Sequence, residues 1–380
     1  MREWLGVCRS GLWPRKRPLG QRKTWGLVVG VGLFAGIARS YRSSAVLCLQ
    51  GRWGGVFAGA VRGCGFLVRR EGVIVVDEIE LFYQPPFDWR RMLRFYGGRS
   101  SAGVEAVVDG TYIRTLDWEG DPGLLRVRPD PQRHCLIASI EGPAGRHLQA
   151  LAPKLSRMFD LHTDPEEVRQ VLGRDPWLQR LLEQAPGLRV PGTWSGFELV
   201  VRTIVGQQVS VKAATTITGR IVQRAGRPAT GPRHEWAAWE FPTPAALAAA
   251  NLDLIGMPTR RVAALQNFAQ AVASGAVAID ALEAQPSIDD GLALRKVLLA
   301  LPGIGPWTVE YTAMRVWRDT DAWPGSDLIL MQAIQRAHPL LLKPAHQAAH
   351  SQAWRPWRAY AAMHLWNEIA DRSNANVGGL

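Results

Sequence analysis

Cysteine is scarce in this chain of 380 residues, and most of what there is lies near the amino terminus. Three of the four cysteines, Cys8, Cys48 and Cys64, fall within the first 76 residues, and only Cys135 follows them. The later part therefore cannot hold a disulfide scaffold, a four-cysteine zinc site or a four-cysteine iron–sulfur cluster. This distribution is typical of a protein that folds in a reducing compartment.

The chain also lacks an apolar run of the roughly 20 residues that a membrane-spanning helix needs. The longest apolar stretch is WGLVVGVGLFAGIA at 25–38, which follows a basic cluster at 15–23. That order is typical of a secretory signal peptide. The alternative, which we favour, is a poorly ordered extension or a start codon assigned too far upstream.

Excess positive charge is missing from most of the chain, although the net charge is +12. Residues 1–76 hold 13 of the 45 basic residues and two of the 33 acidic ones, so the rest of the chain is nearly neutral. A nucleic-acid site there must therefore be a local patch. Two stretches that contain basic but no acidic residues, 199–234 and 328–367, offer such patches, and solvated helix faces are the alternative.

Sequence patterns divide the chain into three parts and predict an α+β fold class. Residues 1–76 show no sustained period and are predicted to be a basic extension, disordered or wrongly assigned to the protein. Residues 77–155 alternate short β-prone runs with turn residues, which predicts an antiparallel sheet with helices on one face. Residues 156–380 carry repeated helix-start signals and predict a mostly α-helical, two-lobed core.

The most informative segment of the helical part is LPGIG at 301–305, followed by Pro306. It predicts two helices joined by a tight turn, because Pro306 suits the first turn of a helix and the glycines permit a sharp bend. Backbone amides at such a turn, together with the helix amino terminus, can hold a phosphate group. We expect a helix–hairpin–helix that grips a DNA backbone without reading sequence, and an ordinary helix–helix turn is the alternative.

Two features after the hairpin are candidates for a site. Trp307, Tyr311 and Met314 share one helix face, which is typical of core packing but also suits one wall of a base pocket. Asp327 follows the turn WPGS and is brought back towards the hairpin if the chain runs out and returns. The alternative for Asp327 is a plain helix N-cap.

At this point the sequence resembles the helix–hairpin–helix DNA glycosylase superfamily, and within it the 3-methyladenine branch. The superfamily pattern is the hairpin, a Gly/Pro-rich loop and an aspartate, present here as LPGIG and WPGSD. The other matching blocks follow in order along the chain: QPPFDWRRMLRFY (84–96), SRMFDL (156–161), FELVVRTIVGQQVSV (197–211), FPTPAALAAA (241–250), GMPTRRVAAL (256–265) and WRPWRAYAAMHLW (354–366).

The resemblance implies roles for particular residues. Asp327 would be the catalytic acid, and Trp307 stands where bifunctional relatives carry a Schiff-base lysine, which implies a monofunctional enzyme. The implied base-pocket residues are Trp307, Tyr311, Trp366 and Phe95. The implied DNA-binding residues are Gln207 and Gln208, which would enter the duplex, and Gly303, Ile304 and Gly305 of the hairpin. Some relatives carry an apolar wedge where this chain has Gln208, and the family pattern has no counterpart of residues 1–76.

The expected activity is base excision repair of double-stranded DNA that contains alkylated bases such as 3-methyladenine or 7-methylguanine. The target base must be flipped out of the stack before its glycosidic bond can be hydrolysed. We expect no cofactor and no catalytic metal, a structural monovalent cation at the carbonyls of 301–305, a monomer, no membrane contact, and a cytoplasmic, nucleoid-associated location. The alternatives are a related glycosylase for another damaged base and a DNA-binding module without catalysis.

Overall fold

The computed structural model describes residues 46–50, 56–60, 64–69, 72–281 and 288–377, with side chains from 78 to 281 and from 290 to 372. The chain forms two compact units that divide between Val61 and Arg62. In the first, strands β1 (Val46–Gln50) and β2 (Val56–Ala60) pair antiparallel. The basic cluster at 15–23 and the apolar run at 25–38 lie outside the described residues.

The second unit begins with a six-stranded antiparallel sheet in the order β3-β4-β8-β7-β6-β5. Its strands are β3 (Cys64–Arg69), β4 (Gly72–Phe82), β5 (Glu105–Val108), β6 (Thr111–Trp118), β7 (Asp121–Asp130) and β8 (Cys135–Glu141). Asp109 and Gly110 join β5 to β6 with positive φ at both positions, the geometry that suits a two-residue hairpin turn. The antiparallel sheet predicted for residues 77–155 is present, and β3 adds a strand to it from before residue 77.

Helices α1 (Trp89–Arg99) and α2 (Leu148–Phe159) pack against the sheet. Helix α1 begins at an N-cap aspartate, Asp88, whose carboxylate accepts a hydrogen bond from the Arg91 amide at 2.9 Å. The apolar residues spaced along α1 are all buried with the sheet, as the sequence predicts: Trp89, Met92, Leu93 and Tyr96. The division predicted between residues 155 and 156 falls within α2, which packs as one element, and the division predicted at 76/77 falls within β4.

The rest of the second unit is mostly helical, as predicted. Its helices are α3 (Pro165–Leu172), α4 (Pro176–Gln184), α5 (Gly196–Val205), α6 (Val211–Ala225), α7 (Pro244–Ala249), α8 (Thr259–Ala273), α9 (Ile288–Leu299), α10 (Pro306–Arg315), α11 (Leu328–Ala337), α12 (Pro344–His350) and α13 (Arg358–Val377). Two short strands, β9 (Arg227–Pro228) and β10 (Trp239–Glu240), pair between α6 and α7. None of the helices in the described ranges has the length and apolar character needed to cross a bilayer.

A buried ion network joins the sheet to helix α5. Glu105 on β5 lies 2.6 Å from Arg202 on α5 and 3.4 Å from Arg114 on β6, and Arg114 also pairs with Glu198 on α5. Burial opposes ionisation of Glu105, but the two arginines outweigh it and lower the pKa of this carboxyl. Since an unpaired charge buried here would cost several kcal/mol, the network fixes how α5 sits on the sheet.

Candidate active site

The predicted hairpin between α9 and α10 is present, and glycine is required at its bend. Gly303 has φ +83°, and a Cβ there would lie 2.6 Å from the Cβ of Ala264 on α8. Both features disfavour any other residue at this position. The turn closes with a hydrogen bond from the Ile304 amide to the Leu301 carbonyl at 3.2 Å, and α10 then begins after its N-cap Gly305.

Ile304 departs from its predicted role at the DNA surface. Its side chain is buried in the helical core, and its amide is engaged within the turn. Ile304 therefore anchors the hairpin to the helical core. The exposed backbone at Pro302 and Gly303 forms the outer surface of the turn.

Asp327 is both an N-cap and a member of the site, so the two interpretations of the sequence hold together. As the N-cap of α11 it accepts a hydrogen bond from the Leu330 amide to Oδ1 at 2.9 Å. The indole nitrogen of Trp366 also donates to Oδ1, at 3.1 Å, and that of Trp307 donates to Oδ2, at 2.9 Å. Three donors from three helices thus fix the orientation of one half-buried carboxylate.

The aromatic residues form a compact group beside this carboxylate. Trp307 and Tyr311 stack with ring centroids 5.0 Å apart and an interplanar angle of 10°. Trp366 meets Tyr311 edge to face at 6.1 Å. Because Trp307 covers one face of Tyr311, the faces available to a bound ring belong to the two tryptophans, which are only half buried.

A cavity of about 470 Å³ opens at this group. Its lining includes all five residues predicted for catalysis or base binding: Phe95, Trp307, Tyr311, Asp327 and Trp366. Helices α5 and α6 supply the opposite wall, with residues such as Leu199 and Thr218. The volume lies within the usual range for sites that take a small molecule or a single ring system.

Three arginines line the same cavity. Sequence reasoning did not single out Arg99 or Arg315, and it placed Arg202 only in the basic stretch 199–234. The guanidinium of Arg99 lies 4.1 Å from the ring centroid of Phe95, and that of Arg315 lies 4.6 Å from it. Arg202, the third, belongs to the ion network with Glu105. The signal available in the sequence was a lone arginine inside otherwise apolar helical stretches, as in FELVVRTIV.

Arg315, which lines the cavity, hydrogen-bonds to three groups of the chain. It donates to the Tyr311 hydroxyl at 2.9 Å, to the Pro191 carbonyl at 2.8 Å and to the Gly192 carbonyl at 2.7 Å. Burial alone would raise the pKa of Tyr311, but the positive charges of Arg315, Arg99 and Arg202, together with the hydrogen bond from Arg315, outweigh burial, so this pKa lies below its ordinary value of 10.0. The phenol therefore accepts from a cation, and its own proton is available to another acceptor.

The two glutamines expected to enter the duplex differ in their contacts. Gln207 donates through Nε2 to the Gly303 carbonyl at 2.9 Å, which ties the α5–α6 turn to the hairpin. Gln208 is exposed, has φ +58°, and accepts from Arg261 through Oε1 at 3.4 Å. Neither lines the cavity. The two turns nevertheless form one continuous surface beside it.

Two acidic residues in the turn before Asp327 form ion pairs with arginines of the same chain. Asp319 pairs with Arg295, and Asp321 pairs with Arg358 at 2.7 Å. Lys212 is exposed in the first turn of α6, whose residues line the cavity.

Two family models match this chain. The AlkA N-terminal domain matches residues 78–195, and the HhH-GPD superfamily base excision DNA repair protein matches residues 201–359. The first starts within β4 and covers β5 to β8 with α1 to α4. The second covers the helical core with the hairpin and Asp327.

Curated relatives and solved structures agree with these models. The DNA-3-methyladenine glycosylase 2 of Escherichia coli is 35% identical over 290 residues, which cover 75% of this chain and 95% of that protein. The probable bifunctional transcriptional activator/DNA repair enzyme AlkA of Mycobacterium tuberculosis is 36% identical over 295 residues, 77% of this chain, but the chain spans only 57% of that relative. In fold, the chain is similar to the 3-methyladenine DNA-glycosylase from Archaeoglobus fulgidus, with a TM-score of 0.63 at 20% identity over 78% of this chain and 98% of that one.

The fold class is that of the helix–hairpin–helix DNA glycosylases. Its defining features are an antiparallel sheet with helices, a helical core, a hairpin and an aspartate beside aromatic rings. The chain belongs to the HhH-GPD superfamily of base excision DNA repair proteins, within it to the DNA-3-methyladenine glycosylase 2 family. The family and the fold class predicted from the sequence are thereby confirmed.

Proposed function

We propose that the protein is a monofunctional DNA N-glycosylase that flips out and excises alkylated bases, of the 3-methyladenine and 7-methylguanine type, in base excision repair. The observation that carries this proposal is the position of Asp327. Its carboxylate lies in the wall of a cavity of about 470 Å³ and is held by the indole nitrogens of Trp307 and Trp366. A ring that enters this cavity meets the tryptophan faces, and its sugar meets the carboxylate.

The chemistry suits a base that already carries a positive charge. Alkylation at N3 or N7 weakens the glycosidic bond, and the base leaves as a neutral molecule, so the site needs no general acid. Positive charge then develops on the sugar. A carboxylate at about 4 Å stabilises a unit charge by about 4 kcal/mol at an effective dielectric constant of about 20, which is roughly a thousandfold in rate.

Selection of the damaged base rests on the two tryptophans. The exposed indole faces of Trp307 and Trp366 attract a cationic ring by about 0.5–2 kcal/mol each. The neighbouring guanidinium groups of Arg99 and Arg315 oppose this attraction, since they add positive charge behind Phe95. Lability of the alkylated bond therefore contributes to selectivity alongside charge.

Monofunctional chemistry follows from the residue at position 307. Bifunctional relatives are expected to carry a lysine there, and the indole of Trp307 has no amine that could form a Schiff base. Its nitrogen is instead engaged with Asp327. The proposed enzyme releases the base and leaves an intact strand with an abasic site.

Double-stranded DNA is the partner in this proposal, and a solved structural neighbour from Clostridium acetobutylicum, 16% identical with a TM-score of 0.59, is an 8-oxoguanine glycosylase/lyase in complex with such DNA. The hairpin backbone and Lys212 would hold phosphates, and Gln208, at the exposed tip of its turn, would fill the gap left by the flipped base.

A monovalent cation at the hairpin would share carbonyls that already accept hydrogen bonds, those of Leu301, Gly303 and Gly305. We further propose a monomer that acts on chromosomal DNA in the cytoplasm.

Chromatography of the bases released from methylated DNA tests the proposal, with Asp327→Asn as the matched variant. Asparagine keeps the N-cap and the shape of the side chain but removes the charge. We expect base release to fall at least several hundredfold while binding to DNA that carries an abasic analogue persists. Unchanged release would exclude the proposed role of Asp327, and release of uracil or oxidised guanine in place of methylated bases would indicate a related glycosylase.

A further inference from the structure

A cluster of two histidines and an aspartate lies outside the cavity of the proposed active site. Asp175 is the N-cap of α4, His338 is the C-cap of α11, and His350 ends α12. One potential ligand atom from each of the three side chains lies within 4.8 Å of the other two. Three separate segments of the chain thus converge on one point.

The histidine nitrogens at this point have unused bonding capacity. Nε2 of His338 and Nε2 of His350 are both shielded from solvent and have no hydrogen-bond partner among the residues that the structure describes. Leaving a buried polar atom unpaired costs free energy, so such atoms generally bind a group of some kind. Two of them that converge on the same carboxylate point to a shared ligand.

The separation between one pair of these ligand atoms, those of His350 and Asp175, suits a tetrahedral metal ion. Nε2 of His350 lies 3.4 Å from Oδ2 of Asp175, without the alignment of a hydrogen bond. Two ligands bound at about 2.1 Å in a tetrahedral arrangement are about 3.4 Å apart. Imidazole nitrogens with a carboxylate oxygen are a ligand set that zinc prefers.

Surrounding groups hold the three side chains in place. Oδ1 of Asp175 accepts the Trp177 amide at 2.9 Å, and Oδ2 accepts the indole nitrogen of Trp354 at 2.9 Å. Trp354 also packs edge to face against His350, and Trp177 against His338, at 5.2 Å and 5.5 Å between centroids. Outer contacts of this kind orient ligands before a metal arrives.

We propose that Asp175, His338 and His350 form a binding site for one divalent transition-metal ion of the zinc type. The side chain of His350 is 28% exposed, which leaves an entry path and a position for a water molecule as fourth ligand. The ion would join the end of α11 to α4 and α12. Because α11 starts at Asp327 and is about 15 Å long, the ion acts on the stability of this helix and not on the reaction.

Equilibrium dialysis of the untagged full chain against Zn²⁺ and against Co²⁺ tests this proposal. We compare the wild type with His338→Gln, His350→Gln and Asp175→Asn, where asparagine retains the N-cap. His346→Gln is the matched control, because His346 lies on the same helix α12 but is exposed. Cys8, Cys48 and Cys64 can also bind zinc, so the quantity that decides is the metal lost in each variant relative to this control.

We expect His346→Gln to bind as much metal as the wild type. The three cluster variants should lose one equivalent, or bind it at least tenfold more weakly. The Co²⁺ form should show the strong visible absorption of tetrahedral coordination, and Zn²⁺ should raise the melting temperature of the control but not of Asp175→Asn. Equal binding and equal thermal shifts in the cluster variants and in the control would overturn the proposal, and would indicate a bound water or a His350–Asp175 ion pair.

Discussion

The indole nitrogen of Trp307 lies 2.9 Å from Oδ2 of Asp327, although the two residues belong to different helices and are separated by a proline-containing turn. This contact joins the first residues of α10, next to the hairpin, to the residue that starts α11. A residue that would contact the flipped base and a residue that would act on its sugar are therefore adjacent. Trp366 completes the arrangement from α13, through Oδ1 of the same carboxylate.

We expect the two tryptophan contacts to differ in importance. Trp307→Phe keeps an aromatic face but removes the indole hydrogen bond to Oδ2, whereas Trp366→Phe leaves Oδ1 bonded to the Leu330 amide. A hydrogen bond to a charged group contributes about 1.5–3 kcal/mol, so base release should fall about tenfold to a hundredfold in Trp307→Phe and less in Trp366→Phe. Single-turnover base release from methylated DNA measures both.

Binding to abasic-analogue DNA is the control for these variants, and it should change little in either. If Trp366→Phe were the slower variant, the contact at Oδ1 would be the one that positions Asp327. If the two variants retained wild-type rates, neither indole nitrogen would position the carboxylate.

Tyr311 should ionise at a lower pH than an ordinary tyrosine. Burial raises the pKa of Tyr96, Tyr112 and Tyr360, whereas Arg315 lowers that of Tyr311. Alkaline titration followed by tyrosinate absorbance should show one group that titrates below 10 and is absent in Tyr311→Phe. In Arg315→Gln, which removes the charge, this group should move to higher pH. A low transition that survives Tyr311→Phe would contradict the assignment.

The sequence predicted the hairpin well because its signals are local. Pro306 at the start of a helix and glycine at a sharp bend need no knowledge of distant residues, and Gly303 has the positive φ that such a bend requires. The group at the cavity was found through the resemblance, since helix spacing alone favoured core packing for Trp307 and Tyr311. In the structure Tyr311 is buried and also lines the cavity.

Contacts between distant segments could not be predicted from the sequence. Arg315 bonds to carbonyls at Pro191 and Gly192, more than a hundred positions earlier, and no local pattern predicts that pairing. The same holds for Asp175 with His338 and His350, since ligands from three segments converge only in the folded chain. Gln207 bonds to the hairpin because two turns that are far apart in the sequence are neighbours in space.

Stability should decrease as the pH falls from about 6.5 towards 4, because of His364. Burial lowers the pKa of His364 from 6.5 to about 4, so in this range the unfolded chain binds a proton that the folded chain does not. The stabilisation is present in full above 6.5 and is lost as the pH falls, by about 3 kcal/mol in total. Urea unfolding at a series of pH values measures this slope.

His364→Gln should reduce the dependence of the free energy of unfolding on pH, even if it lowers stability at every pH. His346→Gln, a change at an exposed histidine, should leave this pH dependence unchanged. The carboxyls of Glu105 and Asp160, whose pKa values are lowered, add a further loss below about 4.5. An equally steep slope between 6.5 and 4.5 in His364→Gln would show that another group takes up the proton.

A chain that starts at Val76 should fold and retain base release. Strand β3 pairs only with β4, and the first four residues of β4 pair only with β3, whereas the pairing of β4 with β8 begins at Val76 opposite Glu141. The truncated chain therefore keeps a five-stranded sheet and every residue that lines the cavity.

The truncated chain also loses the 13 basic residues of the first segment, so affinity for undamaged DNA at low salt should fall and depend less on salt. Circular dichroism, the melting temperature and base release from methylated DNA check the first expectation, and binding at two salt concentrations checks the second. Loss of folding would mean that β3 is needed as a protecting edge strand, and unchanged affinity would mean that the first segment does not reach DNA.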